Sequence, residues 1–464
     1  SLPGSPCEMP NAQRLAGEGV RFEQAYTVAA HCCPARASFM TGLFPSHHGV
    51  FNNVCNPTAL RRGLKPGCRT WSEALADEGY RLSFTGKWHV SSLEGPQDRG
   101  WKPFGRVTAA EWNPRPTWAR PAPTREQRAA NLLDAIGIPR DGWPDVLLAG
   151  ARKGTIENTS EYRETADAVE ELESLANGRR PWCLYVGWGG PHDPYVIPEP
   201  WASTYDPDAI ELPPSYGDDL ADRPAIYRRH KQLWDRLSAD DVRSATAYYR
   251  GYCSMLDHLF GMILDALDAT GQAENTIVVR TSDHGDLVGA HGLFLKGIPP
   301  FEEAYNVPLI ARWPAGIRRP GRDVRSIVQI MDVGPTLLEA ASAPNLEPCD
   351  AQSLMPILRD QEADGQRDEL YCQMNGVELY YTQRIVRAGR YKYVFNGFDF
   401  DELYDLAADP FERVNLINDP SLDTVRKGLL ARLWDWARRT DDFIDNAYPT
   451  VGLVPIGPHP ELRR

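Results

Sequence analysis

The chain has 464 residues, of which 42% are hydrophobic and 24% charged, and its formal net charge is −13. This apolar content is sufficient for a large buried core, which excludes a mainly disordered protein. The acidic balance argues against a nucleic-acid-binding protein, because such proteins need a basic surface. No apolar run approaches the ~20 residues of a membrane span, and the nine scattered cysteines do not form the pattern of a disulfide framework.

A cysteine-containing turn follows the first predicted elements, which are a short helix and a strand. Pro34 fixes its own φ and restricts the residue before it, so we expect Cys32 in a tight turn just before a helix over 35–40. The free N–H groups of a helix N-terminus and the guanidinium of Arg36 favour a tetrahedral oxyanion such as sulfate or phosphate. A buried cysteine pair at a loop–helix junction is the alternative interpretation.

A helix over 71–79 and a strand over 80–85 are predicted next, and the strand leads into Lys87 and His89. In open α/β sheets ligands bind beyond the carboxyl ends of strands, so these two side chains can face one crevice. A surface lysine beside a packed tryptophan–histidine pair is the alternative. Residues 94–154 have weak periodicity and predict long loops and short helices, which often carry substrate specificity.

Two further predicted strands also end in polar groups. The buried pattern over 181–187 is followed by His192 in a Pro-His-Asp-Pro loop, which could equally be a rigid turn. The strand over 275–281 is followed by Asp283 and His284. A carboxylate beside an imidazole can supply two metal ligands from one loop, although the Asp-His-Gly sequence is common.

The alternation of these strands with helices predicts an α/β protein with a large, doubly wound, mixed or parallel sheet flanked by helices. A charged stretch over 358–370 indicates an exposed linker. Beyond it, alternating segments predict antiparallel strands, and residues 422–440 predict a closing helix. We therefore expect a catalytic domain over 1–360 and a smaller C-terminal subdomain, with an antiparallel sheet and a helix, over 361–464.

The cysteine motif resembles the Cys-x-Pro-[Ser/Ala]-Arg signature of type I sulfatases, which belong to the alkaline-phosphatase-like superfamily. The likeness extends from about Asn11 to Trp436. The further matching motifs are Gly-Lys-Trp-His at 86–89, Pro-His-Asp-Pro at 191–194, Ser-Asp-His-Gly at 282–285, and His-Gly-Leu at 291–293 with Lys296.

This resemblance implies that a formylglycine-generating enzyme oxidises Cys32 to formylglycine. One hydroxyl of the hydrated aldehyde would then attack the sulfur of a sulfate monoester. The resemblance also implies neutralising contacts from arginine and lysine and protonation of the leaving alcohol by His192 or His89. The implied catalytic residues are Cys32, Arg36, Lys87, His89, His192 and Lys296, and the implied substrate contacts are Lys87, His192, His291 and Lys296.

By the same resemblance, Asp283 and His284 are metal ligands. Calcium is the first expectation, and manganese or another transition metal stays open because imidazole is less typical of hard-cation sites. The family also uses two aspartates at the end of a strand that precedes the segment matched here. In this sequence the acidic residues before Cys32 are Glu8, Glu18 and Glu23, and none follows an apolar strand. Either that strand is missing from the sequence or the metal is held in another way.

The expected function is hydrolysis of a sulfate monoester, with a sulfated carbohydrate favoured by association with the family. A phosphonate monoester or phosphodiester hydrolase is the first alternative, because it shares the fold and these motifs. A sulfatase-like binding protein without catalysis is the second, and it follows from the incomplete aspartate set. The absence of a long apolar run fits periplasmic, secreted and cytoplasmic locations equally.

Overall fold

The computed structural model describes residues 7–105, 130–142, 145–360, 367–377 and 379–458. The strands are β1 (Val20–Tyr26), β2 (Arg81–Gly86), β3 (Lys102–Pro103), β4 (Ile136–Ile138), β5 (Val146–Arg152), β6 (Trp182–Gly187), β7 (Tyr195–Pro198), β8 (Val278–Thr281), β9 (Leu309–Arg312), β10 (Arg322–Gln329), β11 (Glu369–Met374), β12 (Gln383–Ala388), β13 (Tyr391–Asn396) and β14 (Glu402–Asp405). The α-helices are α1 (Pro10–Gly17), α2 (Cys32–Thr41), α3 (Pro45–His48), α4 (Trp71–Asp77), α5 (Ser160–Ala176), α6 (Ala225–Trp234), α7 (Ala239–Ala269), α8 (Glu302–Tyr305), α9 (Val333–Ala340), α10 (Met355–Leu358) and α11 (Asp423–Arg439).

Two groups of strands, flanked by helices, form the main α/β layer. In the first group the order is β10-β1-β9-β8, with β1 parallel to β10 and antiparallel to β9. In the second group the order is β3-β2-β6, with all strands parallel. A third sheet, β4-β5-β7, lies beside α7. The predicted mixed, helix-flanked α/β architecture is therefore confirmed.

The C-terminal part forms the predicted antiparallel sheet, in the order β11-β12-β13-β14. Helix α11 packs on this sheet through Leu430 and Leu433. Buried Lys392 on β13 joins the sheet to the α/β layer, since its ammonium lies 3.0 Å from the carboxylate of Glu302 and donates to the carbonyl of Pro300. The proposed boundary at 360/361 stays a prediction, because residues 361–366 lie outside the described ranges.

Helix α2 begins earlier than the sequence predicted. His31 is extended and caps the helix, so Cys32 is the first helical residue and does not lie in a preceding turn. The prediction was wrong because Pro34 falls within the first turn, where its missing N–H has no helical partner in any case. At the other end Gly42 has a φ of 68° and its N–H donates to the Ser38 carbonyl, a typical helix stop.

The interpretation of residues 94–154 as loops and short helices was wrong over the short strands β3 and β4 and over the longer β5. This strand pairs in parallel with β7, with Ala149 opposite Tyr195, and its central residues are buried. A short strand that is buried on both faces shows no alternation of apolar and polar residues, so periodicity does not reveal it. Residues 106–129 and 143–144 of this segment lie outside the described ranges.

Within the described ranges, no helix combines the length and apolarity that crossing a membrane would require.

His48 supports α2 from behind. It is fully buried, the Val50 N–H donates to its Nδ1 at 3.0 Å, and its Nε2 lies 2.9 Å from the Ser38 hydroxyl oxygen. Because Nδ1 accepts, the ring proton must sit on Nε2, and the imidazole is neutral. Burial lowers the pKa of His48 to about 3.

We expect this histidine to make the fold less stable in acid. The unfolded chain binds a proton near pH 6.5 and the folded chain only near pH 3, so folded stability is lost as the pH falls from 6.5 towards 3, by up to about 1.4 kcal/mol per pH unit. Urea unfolding of the native chain and the His48→Gln variant across this range measures the effect. The variant should show a smaller slope, and equal slopes would contradict the assignment.

Candidate active site

The ends of three strands meet the first turn of α2. Strand β2 ends just before Lys87, β6 leads to His192, and β8 leads to Asp283 and His284. All three strands present their carboxyl ends on the same side as Cys32, which is where open α/β sheets bind ligands. The fold thus brings together groups that are far apart in the sequence.

Cys32 lies against an oriented imidazole. Its Sγ is 3.1 Å from Nε2 of His284, whose Nδ1 lies 2.7 Å from the Gly285 carbonyl oxygen and donates to it. Burial raises the pKa of Cys32, but the charges of His284 and Lys87 outweigh this and set the pKa well below its ordinary value. For His284, burial lowers the pKa and the neighbouring Asp283 raises it more, so the net shift is upward. Both shifts favour the charged forms of the two side chains.

Arg36, one helical turn beyond Cys32, is held in a fixed orientation. Its Nε donates to Asp283 Oδ2 at 2.7 Å, and its Nη1 donates to the Lys87 carbonyl at 2.7 Å and to the Tyr185 hydroxyl at 3.5 Å. Burial raises the pKa of Asp283, but the charge of Arg36 outweighs it and the net pKa is depressed. The guanidinium thus ties α2 to the ends of β2, β6 and β8.

Lys296 and His192 form a second cluster at the rim. The Lys296 ammonium donates to Nε2 of His192 at 2.7 Å and lies 3.3 Å from an Asp193 carboxylate oxygen. Because an ammonium has no acceptor, Nε2 is the accepting nitrogen and Nδ1 carries the ring proton. That Nδ1 lies 2.8 Å from the Asp193 carbonyl oxygen. The ring centres of His192 and His284 are 6.5 Å apart, so the two clusters adjoin.

Two more histidines surround Cys32. His89 has a left-handed φ of 56°. Burial lowers the pKa of His89, and the hydrogen bond to Cys32 offsets this effect only in part. His31 is buried and its pKa is lowered to about 3 by burial. Among the described residues, the Nδ1 atoms of both rings lack a hydrogen-bond partner. Sequence reasoning did not assign a role to His31 or Tyr185, although the adjacency of His31 to Cys32 was a usable signal.

Among the contacts that the structure describes, none joins His291 to Cys32. This histidine is fully buried, stacks on Phe301 with ring centres 3.7 Å apart, and its Nδ1 lies 2.8 Å from an Asp218 carboxylate oxygen. Both partners lie outside the two clusters described above. Contact of His291 with substrate stays a prediction that these neighbours do not support.

The donor set at the base of the site fits a divalent metal only in part. Ligand atoms of Cys32, Asp283 and His284 lie within 4.8 Å of one another. The hydrogen bond from Nδ1 of His284 to the Gly285 carbonyl leaves Nε2 aimed at the site, as in metal-binding histidines. However, Arg36 already occupies one oxygen of Asp283. Calcium takes six to eight oxygen ligands, so it would need more oxygens than this cluster offers, whereas imidazole suits a transition metal.

Comparisons with known proteins place this site in a family. The sequence profile of the sulfatase family matches residues 1–343, and that of the N-sulphoglucosamine sulphohydrolase C-terminal region matches residues 289–439. Over 444 residues the chain is 30% identical to the choline-sulfatase of Rhizobium meliloti (strain 1021). The alignment covers 90% of this chain and 80% of that protein.

Solved structures share the fold. The phosphonate monoester hydrolase of Silicibacter pomeroyi superposes with a TM-score of 0.77 at 21% identity, over 94% of this chain and 92% of that one. A protein solved in complex with its substrate D-glucosamine-2-N,6-O-disulfate has a TM-score of 0.73 at 20% identity, over 95% and 94% of the two chains. The profile match over most of the chain and the 30% identity decide the family. The chain belongs to the sulfatase family and is a sulfuric ester hydrolase.

Proposed function

We propose that this chain hydrolyses the sulfate monoester of a sulfated carbohydrate, using formylglycine derived from Cys32. The observation that carries the proposal is the position of Cys32 as the first residue of α2, with Arg36, Lys87 and His284 around it. Formylglycine would supply, as a hydrated aldehyde, the hydroxyl nucleophile that attacks sulfur. Unoxidised Cys32 would be a poor catalyst of this reaction.

The cationic side chains would stabilise the sulfuryl group while it is transferred. Arg36 is rigid because Asp283 and the Lys87 carbonyl fix two of its nitrogens, so it can bind an oxyanion without reorganising. Lys87 follows β2, whereas Lys296 lies in the segment between β8 and α8, and together they add two positive charges. Such preorganised charge is commonly the largest contribution to catalysis of this kind.

His192 is the favoured proton donor to the leaving alcohol. It lies at the rim, with 37% of its side chain exposed, where a leaving group can depart. Its Nε2 accepts a hydrogen bond from the Lys296 ammonium at 2.7 Å, so a proton can pass from Lys296 through Nε2 to the leaving oxygen, which leaves Lys296 neutral. His89 is the alternative donor, but burial lowers its pKa and thereby reduces the fraction that carries a second proton.

Asp283 and His284 would hold a divalent metal. When bound, the metal would act as a Lewis acid that polarises the sulfate oxygens. The imidazole ligand favours a transition metal over calcium unless further oxygen ligands are added, and manganese accepts both imidazole and carboxylate ligands. The family resemblance gave calcium as the first expectation, so the metal experiment described below compares calcium with manganese.

The carbohydrate substrate is supported by the solved relative that binds a disulfated glucosamine. The choline-sulfatase relative supports a small sulfated alcohol as the competing substrate. The phosphonate monoester hydrolase has the higher TM-score of the two structures and supports the second candidate function, hydrolysis of phosphonate monoesters or phosphodiesters. A tetrahedral anion clamp of arginine and lysine would accept either sulfur or phosphorus.

Cys32 should be converted and should be essential. Co-production with a formylglycine-generating enzyme should change the mass of the Cys32 peptide from thiol to aldehyde, and Cys32→Ala should lower kcat by about 10³ or more, as loss of a nucleophile does. The matched control is Cys33→Ala, which removes the adjacent buried thiol and should retain most activity. A Cys32 that stays a thiol in an active enzyme would contradict the proposal.

The converted enzyme should prefer sulfate esters. We expect kcat/KM for 4-nitrophenyl sulfate to exceed that for bis(4-nitrophenyl) phosphate and for a phenylphosphonate monoester by about tenfold or more, which corresponds to about 1.4 kcal/mol in transition-state binding. Glucosamine 6-sulfate and choline sulfate, compared in the same way, test the carbohydrate assignment. A preference for the phosphodiester would favour the second candidate function, and one for choline sulfate would overturn the carbohydrate.

Activity should depend on a divalent metal. Chelation should abolish turnover of the converted enzyme, and metal analysis should find about one equivalent of metal per chain in the native protein and much less in Asp283→Ala. Calcium and manganese are added back separately to the stripped enzyme, and the ion that restores activity identifies the cofactor. Full activity after complete removal of metal would exclude this assignment.

A further inference from the structure

The segment just before α1 lies against the middle of α7. The Glu8 N–H donates to the Tyr205 hydroxyl at 2.6 Å, and the Ser254 hydroxyl donates to the Glu8 carbonyl at 2.8 Å. The two hydroxyl oxygens, of Tyr205 and Ser254, are 2.8 Å apart. Because the Ser254 proton goes to Glu8, Tyr205 is the donor between them. This ring of three hydrogen bonds fixes the backbone of Glu8 beside Ser254.

A second set of contacts fixes the same register about one helical turn further along α7. The backbone N–H groups of Asn11 and Ala12 donate to the Asp257 carboxylate at 2.8 and 2.9 Å. Asp257 is fully buried. Glu8 thus lies beside Ser254 as Asn11 lies beside Asp257, so the segment and α7 run in the same direction at this point.

This register brings two cysteines together. Cys7 precedes Glu8 and Cys253 precedes Ser254, and the two thiols hydrogen-bond to each other. The Tyr249 hydroxyl, one helical turn before Cys253, contacts the same thiol. Both cysteine side chains are half-buried thiols that line the cavity between β6 and β8. A small reagent can therefore reach sulfur atoms that already touch, as a disulfide requires.

We propose that Cys7 and Cys253 are a disulfide-forming pair, whose bond joins the segment before α1 covalently to α7. The co-reactant is a small disulfide of the glutathione type. The Cys7 thiolate attacks one of its sulfurs and releases a first small thiolate, which leaves a mixed disulfide on Cys7. Cys253 then loses its proton and attacks the Cys7 sulfur, and the second small thiolate leaves. The small disulfide has taken up two electrons and, with the two cysteine protons, becomes two thiols.

The surroundings of Cys253 set the order of these steps. The hydrogen bond with Cys7 and burial raise the pKa of the Cys253 thiol, and the charge of Arg280 offsets this only in part. A thiol that keeps its proton is the weaker nucleophile, so the first attack falls to Cys7. Disulfides persist in oxidising compartments, so the bond would form in an exported enzyme and stay open in a reducing cytosol.

The bond would secure α1 on the main layer. Helix α1 packs through Leu15 in one apolar cluster with Leu264 of α7 and Ile310 of β9. The disulfide would close the chain between positions 7 and 253 into one loop, and such a closure stabilises a fold mainly by restricting the unfolded chain. Oxidation should therefore raise resistance to unfolding without any new contact in the folded state.

The test equilibrates the 464-residue chain with glutathione disulfide in excess over glutathione, alkylates the remaining thiols and maps the peptides without reduction. We expect a cross-linked Cys7–Cys253 peptide as the main product, with two hydrogens fewer than the two reduced peptides together. We also expect the urea midpoint of the oxidised chain to exceed that of the reduced chain by about 0.5 M or more.

The variants Cys7→Ser and Cys253→Ser should each lose the cross-linked peptide and the shift of the urea midpoint. The matched control is Cys183→Ser, which removes another half-buried thiol that lines the same cavity and should retain both. The mapping of the native chain decides the question even if a variant folds poorly.

Alkylation of both Cys7 and Cys253 after equilibration would overturn the proposal. Separate glutathione adducts on the two residues, or a bond from either one to a different cysteine or to a second chain, would overturn it as well. None of these readouts involves ester hydrolysis or Cys32, so the inference stands or fails separately from the proposed function.

Discussion

The ion pair between Arg36 and Asp283 is the contact on which the site depends. It joins the first helix turn after Cys32 to the loop after β8, with both side chains mostly shielded from water. Removing one partner of such a pair leaves an uncompensated charge and costs about 3–5 kcal/mol. The same pair keeps Asp283 ionised, and Asp283 in turn raises the pKa of His284, which lies against Cys32. The ion pair therefore influences the charge of His284, and through His284 it also influences Cys32.

The burial of so many charged groups requires that each is compensated. Arg36 has three partners from separate strand ends, and Lys296 lies between His192 and Asp193. These contacts hold the cations where an anionic ester would bind, so little reorganisation is needed when the substrate arrives. The acidic net charge of the chain is compatible with this, because attraction of an anion depends on the local field and not on the total.

A cavity of about 1720 Å³ adjoins the partial metal cluster, because Asp283 and His284 belong to both. The cavity lies between β6 and β8. A sheet that is interrupted there leaves peptide groups and apolar helix faces open at the base of the site. Local stability in this region should therefore be lower than in the paired β1 and β10, where long-range packing is continuous.

The sequence by itself determined the α/β class, the central strands and the motifs that end them, because buried strands and amphipathic helices leave patterns that depend on nearby residues. It also singled out Cys32, Arg36, Asp283 and His284 as candidate site residues through local motifs, and the structure brings these four side chains together. It missed β5, whose burial on both faces removes alternation, and it started α2 too late, since the pattern could not show that Pro34 fits within the first helical turn. Only the tertiary structure decided that His291 packs against Phe301 and Asp218, that Arg36 binds the Lys87 carbonyl, and that β6 and β8 line one cavity. Those features depend on contacts between residues tens to hundreds of positions apart, which no local pattern encodes.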